Sequence, residues 1–228
     1  MRQIALVGAA ITQEELLEIG AEWELWSLNN LFGQFPDVHF DRWYELHVFQ
    51  RHNNRYIRRG VDTYGARSVW QYMHAIADLR IPVYMQKEWA IIPQSIKFPF
   101  KEIIKEYGSY FGCSFAWMMA HILWENAHNK DIDSLIEKIG FFGIALEGIE
   151  YFYQRPSTEY FIGLARGMGI DIYIHNSSKL LRGGYLYAYK ENFDEIGLNH
   201  GEIMRILMHT VGAAYQQIVR DVYERLTI

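Results

Sequence analysis

Asp41, Glu45 and His47 stand at even spacing in the segment HFDRWYELH. On a β-strand that spacing puts all three on one face, with Arg42, Tyr44 and Leu46 on the other. A carboxylate beside an imidazole is the pairing that takes a proton from a hydroxyl in general base catalysis. Ionisable groups on a mostly buried strand are costly unless they meet a ligand, one another or water. The competing reading is a strand of satisfied ion pairs near the edge of a sheet.

A second group, Glu150, Tyr151, Gln154, Arg155 and Glu159, surrounds Pro156 in EYFYQRPSTEY. Proline is favoured in the first turn of a helix, and an arginine there suits a phosphate or carboxylate, which it pairs bidentately while the helix dipole adds to the attraction. Helix capping with an Arg to Glu pair is the structural alternative, and both can hold at once. A third pattern ties these groups together: Gly8, Asn29, His47, Gln86, Gly143 and His175 each follow a short apolar run, at residues 4–7, 23–28, 43–46, 82–85, 139–142 and 171–174. In an open, mostly parallel sheet, ligands bind beyond the carboxyl ends of the strands. These positions therefore mark out one pocket.

The elements that would position these residues alternate strand and helix. IALVGAAITQEELLEIG reads as strand, glycine turn and helix, with Glu14 and Glu15 in the first turn where the dipole favours acids. Gly8 would let a ligand approach the backbone closely, although one glycine is not a dinucleotide fingerprint. Residues 48–66 are polar and basic and read as a loop or short irregular helix, 67–79 as a helix, and 82–86 as a strand beginning at its proline. WAIIPQSIKFPF carries two prolines and is expected to wrap the edge of the sheet. Residues 114–126 read as a buried helix with Ser114 as a cap, and a further helix is expected over about 158–166. GGYLYAYK reads as a final strand or arm. From 199 to 226 the apolar spacing predicts one helix about 40 Å long, more than a small domain needs to cover itself. The expected organisation is a Rossmann-like α/β domain over 1–190, doubly wound around a mostly parallel sheet, and a C-terminal helical extension over 191–228 that mediates homo-oligomerisation.

Composition narrows the function classes. Half of the 228 residues are hydrophobic and 16% are aromatic, enough for one sizeable core with rings to spare for a pocket or an interface. Net charge is −5 and the local cluster Arg51, Arg55, Arg58 and Arg59 is the only basic concentration, which disfavours nucleic acid as a partner. The single cysteine, Cys113, forms no internal disulfide, no apolar run is long enough to span a membrane, and the start lacks signal-peptide features. The expected location is a reducing cytoplasm, with no membrane partner. None of the nine histidines has a tight metal-ligand spacing, and there is no G-x-S-x-G elbow, P-loop or kinase signature. No cofactor is expected.

The blocks IALVGAA, WSLNNLF, FDRWYELH, PVYMQ, YFGCSFAWMMA, IEKIGFFGIALE and EYFYQRPSTEYFIGLARGMGI, with a closing SSKLL, resemble a family of tailed-bacteriophage and prophage proteins with a Rossmann-like core. The resemblance extends to about residue 189, and D-R-W-Y-E-L-H and E-Y-x-x-Q-R-P-S are its most specific parts. That core is distantly similar to sialyltransferase-like and motility-associated glycosyltransferases. The likeness implies that Gly8, Asn29 and Ser114 contact a nucleotide, that Glu45 and His47 lie near the transferred group, and that the host cell is an infected bacterium. Where the family runs from this strand into G-V-D-M, the chain has Gly143-Ile144-Ala145-Leu146, so Ala145 replaces the acid. Glu147 can substitute only if the loop bends back.

The expected ligand set is Gly8, Asn29, Asp41, Gln86, Ser114, Glu147, Tyr151, Gln154 and Arg155, around the catalytic candidates His47 and Glu45. Three functions are compatible with it. The first is a nucleotide or nucleotide-sugar binding protein acting as a metal-independent glycosyltransferase. The second is a non-catalytic sponge that sequesters a nucleotide-derived defence signal, and the third a phage structural or assembly protein.

Overall fold

The computed structural model describes residues 1–52, 55–58, 69–147, 151, 153–182 and 212. The chain divides into a unit Met1–Leu181 and a second unit Arg182–Ile228. The strand or arm expected at 183–190, the helix expected at 199–226 apart from Gly212, and the boundary expected at 190 lie outside the described residues.

The first unit is an α/β domain of Rossmann-like arrangement. Strands β1 (Arg2–Val7), β2 (Trp23–Leu28), β3 (Arg42–Glu45), β6 (Val83–Met85), β7 (Ser95–Lys97), β8 (Ile136–Phe142) and β9 (Asp171–Ile174) form one seven-stranded sheet in the order β7-β6-β3-β2-β1-β8-β9. Every neighbouring pair in it is parallel. Strands buried on both faces need no polar alternation, and β1 has none: Ile4, Ala5, Leu6 and Val7 are all fully buried. Ile4 and Leu6 join Trp26, Tyr44 and Phe141 in a core shared with helices α3 (Phe100–Tyr107), α4 (Ser114–His128) and α5 (Arg155–Gly167). Ala5 and Val7 join Trp43, Val83 and Met85 in a second core under α1 (Gln13–Leu17) and α2 (Val69–Ala77). Helices thus cover both faces, which is the doubly wound layering.

Four local expectations are corrected. Residues 49–52 and 55–58 are antiparallel strands paired with each other, β4 (Phe49–His52) with β5 (Arg55–Arg58), where a loop or irregular helix was expected. Only Asn53 and Asn54 separate the strands in sequence, a connection length that hairpins favour. The proline-containing stretch supplies the edge strand β7 itself, because Pro93 and Pro99 fall outside it, and Pro99 is the N-cap of α3, a helix the sequence reading missed. Helix α5 starts at Arg155, with Pro156 in its first turn, about three residues earlier than expected. The N-cap of α4 is Cys113 in extended conformation, so Ser114 is the first helical residue and does not cap.

Candidate functional site

The chain builds β1, β2, β3, β6 and β7 outward to one side, then returns to place β8 against the other side of β1. The order reverses at β1/β8, and the crevice outside the carboxyl ends of such strands is where open α/β sheets take ligands. A cleft of about 650 Å³ lies there. Its walls come from the segments following β1, β2, β3 and β8 and from the starts of α4 and α5.

Two glycine turns lock together at its floor. Gly8 N donates to Phe142 O at 2.8 Å and Ala10 N to Gly143 O at 2.9 Å. A Cβ on Gly8 would sit 2.5 Å from Gly143 O, and one on Gly143 would sit 2.6 Å from Gly8 O. Gly143 also has φ +63°. Gly8 therefore cannot carry a side chain without clashing with the β8 loop, and it also lines the cleft. That loop is held from outside by two serines: Gly143 N donates to Ser177 Oγ at 2.8 Å, and Ile144 N to Ser178 Oγ at 3.0 Å. Beyond it Leu146 adopts φ +47°, a conformation leucine rarely takes, while its side chain packs against the core. The left-handed residue supplies the bend that the sequence reading required, and both Ala145 and Glu147 line the cleft.

The wall after β2 is rich in carboxamides. Asn29 is left-handed, φ +56°, a state asparagine tolerates better than most residues. Its backbone is clamped by β3: Asn29 N donates to Tyr44 O at 3.0 Å, and its carbonyl accepts from Trp43 Nε1 at 3.1 Å. The short turn Leu31–Gly33 follows, and Asn29, Asn30, Leu31 and Gln34 all face the cleft. Opposite, Gly112, Cys113, Ser114 and Phe115 present the amino end of α4, with Tyr151 and Gln154 beside them. No side chain caps α4, and the dipole of this 15-residue helix favours negative charge at that end. Gly112 N donates to Ser157 Oγ at 2.9 Å, which binds the approach to α4 onto α5.

The end of β3 carries the titratable pair. Glu45 is completely buried, and its Oε1 accepts from His47 Nδ1 at 2.6 Å and from His47 N at 3.2 Å. Tyr72 on α2 donates its hydroxyl to Glu45 Oε2. An ionised carboxylate can only accept, so with Glu45 in that state a neutral His47 carries its proton on Nδ1 and has Nε2 as its basic nitrogen. His47 lines the cleft and is partly exposed, whereas Glu45 stands behind it. Tyr72 was invisible to the sequence reading, since it contacts Glu45 from another element 27 residues away.

The structure thus brings Gly8, Asn29, His47, Ser114, Glu147, Tyr151 and Gln154 to one cleft, with Glu45 directly behind His47. Asp41, Gln86 and Arg155 are not among its lining residues. Asp41 precedes β3, where its Oδ2 accepts from Leu25 N at 2.8 Å. It stands at the start of β3 and His47 in the bend beyond its end, at most about 20 Å apart along the chain, so Asp41 does not share the pair's location. Gln86 donates from Nε2 to Leu46 O at 2.9 Å and props the end of β3. Arg155 donates from Nε to Glu159 Oε1 at 2.7 Å, one turn along α5. The carboxylate that it meets is the structural alternative raised from the sequence.

A separate polar network lies on the α4 face of the sheet. Arg42 donates to Glu125 at 2.6 Å and lies 3.9 Å from the Trp26 ring centre, while Tyr44 Oη meets His121 Nδ1 at 2.9 Å. Burial, and then the positive charge of Arg42, depress His121 to a pKa of about 3, so the ring is neutral. Among the described residues no three histidine, cysteine, aspartate or glutamate side chains gather as a metal site, and no helix is long and apolar enough to cross a membrane. Comparison with protein-family models, curated proteins and solved structures gives no significant match.

Proposed function

We propose that this chain binds a nucleotide or nucleotide-sugar in the cleft beyond β1 and β8 and transfers the glycosyl group without a metal. The observation that carries the reading is the Glu45–His47 pair, 2.6 Å apart, with its imidazole in the wall of a cleft of about 650 Å³ at the strand-order reversal. The uncapped amino end of α4 supports placement of the anionic part of the ligand at Ser114 and Phe115. The amides of Asn29, Asn30, Gln34 and Gln154 and the carboxylate of Glu147 suit the hydroxyls and ring edges of a nucleoside or sugar. Arg155, bonded to Glu159, is left out of the phosphate site.

In the reaction His47 Nε2 takes the proton of an acceptor hydroxyl. The acceptor oxygen bonds to the anomeric carbon as that carbon's bond to phosphate oxygen breaks, and the nucleoside phosphate leaves. Glu45 stabilises the imidazolium formed. Native mass spectrometry with nucleoside mono- and diphosphates, nucleotide-sugars and cyclic dinucleotides tests this reading. The expected result is near one nucleotide-type ligand per chain and release of a cleaved nucleoside phosphate. Tight binding with intact release would replace transfer by sequestration, and no binding from any class would turn the reading towards assembly.

A further inference from the structure

We infer that Tyr72 is a positioning residue for the pocket histidine, locking the Glu45 carboxylate so that His47 is held with Nε2 as its basic nitrogen. The inference rests on the reading of His47 as the base. It goes beyond that reading by assigning a role to a residue outside the cleft wall.

The carboxylate is gripped at both oxygens: Oε2 by the Tyr72 hydroxyl and Oε1 by the ring and backbone nitrogens of His47. Two-point fixation stops the group rotating about its Cγ–Cδ bond. The Tyr72 bond to Oε2 therefore contributes to the orientation of Oε1 towards Nδ1. Tyr72 is itself immobilised, buried between Phe32 at 5.8 Å and Phe49 at 6.2 Å, the latter stacked within 17° of parallel. Phe32 belongs to the turn that carries Leu31 in the cleft wall, and Phe49 opens β4 two residues beyond His47. One phenol thus ties the base to the wall that would orient its substrate. A purely apolar ring would fill the same space between Phe32 and Phe49, so the hydroxyl is the part that packing does not explain.

The full chain, deuterated and labelled with ¹⁵N at histidine, gives the test without any ligand. Long-range ¹H–¹⁵N spectra at pH 8 report which ring nitrogen of His47 carries the proton. The wild type is expected to show Nδ1–H as the major form beside a minor, measurable Nε2–H population. Tyr72→Phe keeps the stacked ring and should raise the Nε2–H fraction roughly fivefold, the change that loss of one ordinary hydrogen bond brings. Unchanged His47 resonances in a folded Tyr72→Phe protein would overturn the assignment, as would a wild type protonated on Nε2. A second readout needs no variant: the Tyr72 hydroxyl proton should exchange slowly with water, and free exchange overturns the proposal. Nucleotide binding is scored separately, so its failure with the His47 form intact removes the proposed function and leaves the role of Tyr72 on His47 standing.

Discussion

At His47 the quantity that matters is which nitrogen holds the proton, and the carboxylate behind the ring decides it. Replacing the imidazole should therefore cut the rate of the proposed transfer by about 10² to 10⁴, the usual contribution of a positioned base. His47→Ala is measured by product formation from the nucleotide-sugar that native mass spectrometry identifies, and a rate within about threefold of wild type would remove His47 from the chemistry. Asp41→Asn is the matched control. It alters a residue of the same parity in the same segment, yet its carboxylate serves Leu25 N at the far end of β3, so ligand affinity should not change. Equal losses in the two variants would mean that the cleft is not the site. Glu45 and His47 were expected together on one strand, but β3 ends at Glu45 and His47 stands in the bend beyond it, so their meeting is set by the hydrogen bonds of that bend and not by strand parity. Asp41 was misplaced because parity says nothing of height along the strand.

Among the elements, the β8 loop is where geometry is held most tightly, and Ser178 is its anchor. This buried hydroxyl accepts from Ile144 N at 3.0 Å and donates to Phe141 O at 2.9 Å. Ser178→Ala strands a buried N–H, a loss of about 1 to 3 kcal/mol. The same change frees the segment that carries Leu146 and Glu147, so nucleotide affinity should fall along with stability. Urea unfolding together with ligand titration checks both, and loss of stability with affinity unaltered would show that the loop's bend does not depend on its anchor. Strands β1, β2, β3, β6, β8 and β9 could be read from apolar runs that end in polar residues. The β4/β5 pair and β7 escaped because each strand is only three or four residues long and has no apolar run to mark it, and their pairing is set by partners the local sequence does not name. Gly8 was seen, but a second reason for its bare Cα was not: it packs on Gly143, a contact 135 residues away that no turn rule contains.

Across the whole sheet unit, acid stability follows from His121. Its folded pKa, about 3, lies well below the unfolded value near 6.5, because burial and Arg42 both oppose a charged ring. Between those values the unfolded chain binds a proton that the folded chain does not, so stability falls as pH falls. The contribution is complete above pH 6.5 and is lost at about 1.4 kcal/mol per pH unit below it, roughly 2.7 kcal/mol by pH 4.5. Glu24 acts lower: burial opposes its ionisation, but the Arg2 guanidinium outweighs this and holds its pKa below 4.5, so its share is lost only in more acidic solution. All seven tryptophans precede residue 182, so their fluorescence reports the unfolding of Met1–Leu181 alone. Urea midpoints followed by that signal should drop between pH 6.5 and 4.5 in the wild type. His121→Gln can keep a polar partner for Tyr44 while removing the titration, and the drop over that interval should flatten. An equally steep fall in the variant would place the acid sensitivity elsewhere in the sheet.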